Sequence, residues 1–458
     1  MAKTAAVILA AGRGTRMRSG RAKALHELGG VPLVLHVVRA VERAGLGTPL
    51  VVTGYQAERV EEVLEGRAEF VRQPAMRGTG DAVFHALAEL SDDVDDIVVL
   101  YADCPLIPET LLTELLQRHH QDTTAATLVT TIVDDPSGYG RIVRGEDGTV
   151  EAIIEDVATD EITRAIQEIN SGIGVWRVHA LRQILPGLSS HGEEQYLTEA
   201  VQALRHQGER IGSILWDDAD QLMGINTRRD LAQAEAICRR RTLNRLYDEG
   251  VTVIDPATTY VDAEVEVGQD TVIYPMTFLK GNTKIGRECH IGPLTTVVNS
   301  RLADGVVVQQ SVVEQSIISS TAHVGPFSHL RAGTFLDRDV KIGNFVELKN
   351  ARVGIASKAA HHSYLGDATI GGRVNIGAGT VIVNFDGMAK HPTFIGDEAF
   401  IGCNSNLVAP LEIGPGAYVA AGSTLTQNVP ADALAIARGR QENKAGWAKA
   451  RRAERSNT

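Results

Sequence analysis

The hydrophobic positions change their period partway along the chain. From residue 1 to about 227, short apolar runs such as AAVILA, PLVVTG and DIVVLYAD alternate with PLVLHVVRAVERAG and residues 59–64, where apolar positions recur at helical spacing. That alternation predicts a Rossmann-like α/β domain with a mainly parallel sheet. Residues 228–248, RRDLAQAEAICRRRTLNRLYD, contain no Gly or Pro and keep helical spacing, which predicts a connecting helix. The opening stretch AAVILAAG is too short for a membrane span and lacks a cleavage-type region, so it reads as a first buried strand.

From 249 to 458 the step becomes six. Val267, Ile273, Leu279, Ile285, Ile291 and Val297 hold one register, and Val306, Val312, Ile318, Val324, Leu330, Leu336 and Ile342 hold a second. Ile370, Ile376 and Ile382 continue the step, and Ile395, Ile401, Leu407, Ile413, Val419 and Leu425 carry it onward. Glycine often follows, as in IGRECH, IGAGTV and IGPGAY. This pattern predicts a left-handed parallel β-helix of hexapeptide repeats, its aliphatic residues stacked inward and small residues permitting the corners. A β-sandwich would show period two within strands and irregular spacing between them. The phase breaks near 353–365 and 384–393, and insertions in a solenoid fall on loops, often at the binding face. Flat solenoid flanks also favour self-association, and a homotrimer is expected.

Composition narrows the function. With 458 residues, 43% hydrophobic and 22% charged, the chain is long enough for two or more cores. Its 57 acidic against 45 basic residues give a net charge of −12, which argues against nucleic acid or an anionic membrane as the main partner and for a small-molecule enzyme. The four cysteines form no CxxC pair, so neither zinc nor a disulfide framework is signalled, and a reducing, cytoplasmic setting is expected.

Chemistry concentrates at two places. At the end of the first strand, LAAGRGTRMRSGRAK supplies Gly12 and Gly14, whose backbone N–H groups can approach an anion, with Arg16 and Lys23 for charge. It is neither a P-loop, lacking GK[ST], nor a dinucleotide fingerprint, since Met17 replaces the third Gly. In DIVVLYADCPL, Asp103 emerges at the carboxyl end of an apolar strand, where it serves either as a turn cap or as a ligand for a hard divalent cation. In the coil, FVELKNARVGIASKAAHHSYLGD gathers Lys349, His361, His362 and Tyr364, with Arg331 about one coil earlier. A histidine there can take a proton from an amine so that the amine attacks a thioester, and the cations suit a phosphorylated substrate.

The N-terminal residues resemble the sugar-nucleotidyltransferase family, marked by LxxGxGTR and a following lysine. Over nearly the whole chain the resemblance is to its bifunctional branch, which joins N-acetylglucosamine-1-phosphate uridyltransferase to glucosamine-1-phosphate acetyltransferase. It implies that Leu9, Ala10, Ala11, Gly12, Lys23, Gln73, Gly78, Thr79, Tyr101 and Ala102 meet UTP. It further implies that Gly140, Glu155 and Asn170 meet the sugar, that Asp103 and Asn226 hold Mg²⁺, and that Arg16 and Lys23 act in catalysis. In the coil it selects His361 as the base, Arg331, Lys349, Tyr364 and Asn375 for the amino-sugar phosphate, and Ala378, Asn384, Phe385, Cys403, Ala421 and Arg438 for acetyl-coenzyme A. Five departures stand out: Ala22 and Ala332 for proline, Ala102 for glycine, Phe385 for tyrosine and Cys403 for serine, of which Ala332 is minor. Ala22 and Ala102 are expected to adjust the backbone without loss of function. The basic tail RGRQENKAGWAKARRAERSNT is either a solvated helix or, through Arg438 and Lys444, a partner for coenzyme A phosphates. The rival reading is a single-function sugar-1-phosphate nucleotidyltransferase whose β-helix only assembles or regulates it.

Overall fold

The computed structural model describes residues 2–188 and 194–456. It divides into two compact units, Met1–Arg241 and Thr242–Thr458, with the division inside the helix Arg228–Asp248.

In the first unit, strand Thr4–Leu9 pairs in parallel with Leu50–Thr53 on one side and Asp96–Tyr101 on the other, and Glu69–Arg72 extends the sheet in the same sense. Beyond Asp96–Tyr101 the sheet turns mixed: Glu168–Arg177 runs antiparallel to both Asp96–Tyr101 and Ala126–Ile132, and Ile211–Leu215 returns to parallel. The expected parallel sheet thus carries one antiparallel strand in its middle. Along Thr4–Leu9, Val7 packs into one core cluster while Ala6 and Ile8 pack into another, so both faces are covered. Continuous apolar strands are what such double burial requires. Helix Leu33–Arg43 buries Val34, Val37, Val38 and Val41, the helical spacing seen in the sequence.

Asp96, almost wholly buried at the start of its strand, accepts from His120 Nε2 at 3.0 Å and faces His119 Nε2 at 3.4 Å. Burial pushes its carboxyl up, but the hydrogen bonds and charges of His119 and His120 outweigh this and hold it below the ordinary carboxylate range. A depressed native value contributes stability that is present above the unfolded value and lost as pH falls through the native one. The urea midpoint of Asp96→Asn is therefore expected to lie below that of the unaltered protein at about pH 6, and the gap to close below about pH 4. A gap independent of pH would contradict this.

The second unit is a left-handed parallel β-helix. Short strands repeat in three flat faces, as in Tyr260 beside Phe278 and Glu266 beside Lys284 on successive coils. Leu243 and Leu246, from the end of the long helix, join the same continuous core. Corner hydroxyls satisfy backbone carbonyls, Thr380 Oγ1 donating to Gly377 O at 2.6 Å and Ser405 Oγ to Gly402 O at 2.6 Å.

Three details depart from the simple six-step. Val312 points outward and Val313 inward, because the sides of this coil run from Val308 to Val313 to Ile318, five residues each. Corners are not reserved for small residues: Met276, Leu294, Phe327 and Phe345 take left-handed backbone there and are exposed. The break at 353–365 is no insertion, since strands Lys341–Lys349 and Lys358–Gly366 pair from one end to the other. It reflects five-residue sides, Leu348 to Val353 and Leu365 to Ile370. At 384–393 the coil does open, closed across by a bridge between Phe385 and Lys390.

Candidate active sites

Leu9 and Tyr101 are register partners at the carboxyl ends of adjacent parallel strands, so the loops that follow open onto one edge of the sheet. Around the position of a Cβ on Gly12 there is nothing within 4 Å, which leaves its backbone free to meet a ligand. Gly14 has φ 68°, and a Cβ on it would lie 2.6 Å from Lys23 Cβ, so only glycine lets Lys23 fold back across the loop. The Lys23 ammonium contacts the Asp103 carboxylate and donates to Asn226 Oδ1 at 3.0 Å. Asn226 Oδ1 also accepts from Arg16 Nη2 at 2.9 Å. A capping box holds Asn226 in place. The N–H groups of Asn226 and Thr227 each donate to Asp230 Oδ2 at 2.8 Å, and Asp230 N–H donates to Thr227 Oγ1 at 3.2 Å.

Arg16, Lys23 and Asp103 border a cavity of about 390 Å³ with Leu9, Ala10, Ala11 and Gly12 on one wall and Gln73, Gly78 and Thr79 on another. A second cavity of about 230 Å³, lined by Gly140, Glu155, Asn170 and Asn226, shares Thr79, Tyr101 and Asp103 with the first. Apart from Gly14 and Ala22, every N-terminal candidate residue named from the sequence lines one of two adjoining spaces, with Asp103 where they meet. Gln73 Nε2 is spent on Gly78 O at 3.1 Å and Asp81 Oδ2 at 2.6 Å, which leaves its Oε1 to accept. Burial pushes the Tyr101 phenol well above its ordinary value and keeps it a donor. Thr198 Oγ1 donates to Glu155 Oε1 at 2.7 Å, fixing that carboxylate at the second cavity. Ala102 is packed in the core, and Ala22, with φ −56° and ψ 142°, keeps a backbone a proline would adopt, so the adjustment expected there does not occur. Sequence reasoning missed Tyr196, which lines both cavities from a stretch with no strand-end or glycine signal.

In the coil, register organises the site. Ile342, Ala359, Ile376, Ile401 and Val419 are partners on successive coils, and two residues beyond each come Asn344, His361, Ala378, Cys403 and Ala421. These form one column along a corner, about 4.8 Å per coil. Arg438 closes it, its Cδ 3.9 Å from where a Cβ on Gly422 would be. The next face carries the cations: Leu330, Leu348 and Leu365 are partners, which stacks Arg331 on Lys349, and Arg331 Nη1 donates to Glu347 Oε1 at 2.9 Å. Tyr364 follows Glu347 on that face, whereas Asn375 partners Lys358 on the face before the corner. A Cβ on Gly366 would lie 2.5 Å from the Tyr364 hydroxyl and 2.7 Å from Asn384 Nδ2, so glycine there lets both converge.

A further cation enters from the opened coil. The Lys390 ammonium, with Arg331, holds Lys349 below the ordinary lysine range, while Asp367 pulls the other way. Asp386 fixes the loop that carries Lys390. Its Oδ1 accepts from Ala389 N–H at 2.7 Å and Met388 N–H at 2.8 Å, and its Oδ2 meets His391 Nε2 at 2.7 Å, which together hold its carboxyl far below the usual range. Lys390 was not read from the sequence, although the phase break marked its loop. Phe385 is exposed on the same loop and Cys403 is exposed in the column. In the helix Trp447–Ser456 the residues from Trp447 to Arg455 are exposed, and Lys444 lies in the exposed stretch before it.

A model of the MobA-like NTP transferase domain matches residues 6–174, and one of the GMPPB C-terminal domain matches 256–370. The chain is 44% identical to the bifunctional protein GlmU of Acetivibrio thermocellus over 96% of this chain and 96% of that one. It is 46% identical to the protein of the same name from an Exiguobacterium species, over 97% of this chain and 99% of the relative. For Heliobacterium modesticaldum the identity is 44%, covering 97% of each. Among the described residues, no helix is long and apolar enough to cross a membrane.

Proposed function

The chain belongs to the family of the bifunctional protein GlmU, and from that membership we propose how each half works and which residues carry it. It is a bifunctional enzyme of UDP-N-acetylglucosamine synthesis, a nucleotidyltransferase joined to an acyltransferase. The observation that supports the two-site reading is that polar groups converge separately in each compact unit, around Lys23 and Asp103 in the first and along the corner of His361 in the second.

In the N-terminal unit, the phosphate oxygen of N-acetylglucosamine 1-phosphate attacks the α-phosphorus of UTP in line, and the bond to pyrophosphate breaks. The backbone at Gly12, with Arg16 and Lys23, cradles the phosphates of UTP. Gln73 meets the base, and Gly140, Glu155 and Asn170 orient the sugar in the adjoining cavity. Asp103 and Asn226 aim a carboxylate and an amide oxygen at one point, which the Lys23 ammonium occupies, so hard oxygen donors already face a cation there. That donor set fits Mg²⁺, which takes one or two carboxylates together with substrate phosphates. Bound there, Mg²⁺ supplies charge neutralisation along the triphosphate.

In the C-terminal unit, His361 takes a proton from the amine of glucosamine 1-phosphate, the nitrogen attacks the thioester carbonyl of acetyl-coenzyme A, and the carbon–sulfur bond breaks to release the thiol. Arg331, Lys349 and Lys390 hold the sugar's phosphate, with Tyr364 and Asn375 on its ring. The column from His361 through Ala378 and Cys403 to Ala421 spans about 14 Å, suited to an extended pantetheine arm, with Arg438 at the phosphate end. Asn384 and Phe385 flank it from the opened coil. In a homotrimer a second copy covers this exposed corner and excludes water from the transfer. A nucleotide and a coenzyme A thioester as substrates place the enzyme in the cytoplasm.

Cys403→Trp tests the column. The indole blocks the arm's path, so the KM for acetyl-coenzyme A in thiol release is expected to rise about tenfold or more, with pyrophosphate release unchanged. An unchanged KM would remove the column from the coenzyme site.

A further inference from the structure

We propose that Gln56 is a positioning residue for uridyl transfer, a two-point clamp on the far end of the phosphate loop that sets where Lys23 reaches; this rests on the reading of the N-terminal cavity given above. The loop leaves strand Thr4–Leu9 and comes back to the cavity at Lys23, and both of its ends are tied to one turn, 54–56, which follows strand Leu50–Thr53.

At the near end, Tyr55 N–H donates to Ala11 O at 3.0 Å. Gly54 sits so close that a Cβ on it would be 2.8 Å from the same oxygen, and the Arg13 guanidinium lies 5.3 Å over the Tyr55 ring. At the far end, Gln56 Oε1 accepts from Ala22 N–H at 2.9 Å, and Gln56 Nε2 donates to Gly20 O at 2.9 Å. Tyr55 Oη donates to that oxygen at 3.3 Å. Ala22 is wholly buried, so without Gln56 its N–H loses its acceptor in a place water does not reach.

Gln56 itself has φ 56° and ψ 40°, a left-handed conformation uncommon for a residue of this kind. The connection to Lys23 is short. Leu25 N–H donates to Ala22 O at 3.0 Å, so the turn Lys23–Leu25 starts from the clamped residue, and the Lys23 side chain reaches Asp103 and Asn226 from there. A loop freed at Gly20 and Ala22 carries the ammonium away from the point where the two cavities meet.

The backbone of Ala22 supplies an independent check. Its φ of −56° lies within the range proline enforces, and proline has no N–H to satisfy. Ala22→Pro should therefore stand in for the clamp by fixing the chain and removing the orphaned donor together.

The test compares the full-length protein with Q56A, Q56E, A22P and Q56A/A22P. Pyrophosphate release is measured from UTP, N-acetylglucosamine 1-phosphate and Mg²⁺, thiol release from acetyl-coenzyme A and glucosamine 1-phosphate, and the thermal midpoint is recorded for each. Q56A is expected to lower kcat for pyrophosphate release about 10- to 100-fold, as small misplacements of catalytic groups do, with thiol release unchanged. Q56E keeps the acceptor and loses the donor, so it falls between the two. Q56A/A22P recovers most of the lost kcat. The clamp is overturned if Q56A keeps full pyrophosphate release, if the double variant is no better than Q56A, or if thiol release falls in parallel with the thermal midpoint. If the unaltered protein releases no pyrophosphate, the reading of the cavity falls as well, which separates that failure from failure of the clamp.

Discussion

Asp103→Ala is expected to cut pyrophosphate release by about a thousandfold while thiol release from acetyl-coenzyme A continues unchanged. The carboxylate stands at the wall common to both N-terminal cavities and contacts the Lys23 ammonium, with both side chains more than four-fifths buried. Its removal takes away the anionic half of the cation site and also strands the Lys23 charge, and breaking such a pair destabilises as well. Asp103→Asn separates the two effects, because it keeps the shape and a carbonyl oxygen to face Lys23 but loses the negative charge. The Asn variant is expected to keep its thermal midpoint to within a few degrees and still lose most pyrophosphate release. Pyrophosphate release at the unaltered rate in the Asn variant would remove Asp103 from the chemistry.

The second large effect falls on the other unit. His361→Ala is expected to lower thiol release by about 10²- to 10⁴-fold, the range a positioned base contributes, with pyrophosphate release intact. His361 is exposed in the corner column, so truncation costs little packing. Its neighbour is the internal control. His362 turns the corner with left-handed backbone, φ 41°, and its carbonyl accepts from Gly379 N–H at 2.8 Å. His362→Ala should therefore leave transfer nearly unchanged. Equal loss in both variants would mean that the corner's shape matters and that no particular imidazole does.

The two architectures were legible in the sequence because each rests on a repeated physical demand. A sheet covered on both faces needs continuous apolar strands, which is why DIVVLY and AAVIL stood out. A stacked coil needs one inward aliphatic residue per side, which is why Ile395 to Leu425 kept step. The period failed where a side loses one residue: at Val312 and Val313 both neighbours are aliphatic, and composition cannot say which one turns in. The antiparallel strand Glu168–Arg177 left no mark either, since burial on both faces looks the same whichever way a strand runs.

Candidate residues on a strand end or in a glycine turn, such as Asp103 and Gly12, were readable because those positions are constrained by backbone geometry, whereas Gly78 came only from the family resemblance. Residues that act through long-range hydrogen bonds were not. Gln56 and Asp230 look like ordinary polar residues at helix starts, and only the fold brings one to Ala22 and the other to Asn226. Lys390 lay inside a flagged insertion, yet its place beside Lys349 depends on how Asp386 folds that loop.

The central claim is that one chain carries two independent active sites that act in succession. The most direct measurement supplies the protein with glucosamine 1-phosphate, acetyl-coenzyme A, UTP and Mg²⁺ and follows free thiol and pyrophosphate separately. Both products are predicted, with pyrophosphate appearing after a lag and absent when acetyl-coenzyme A is withheld. Thiol without pyrophosphate, pyrophosphate without thiol, or pyrophosphate formed equally well from the unacetylated sugar would contradict it.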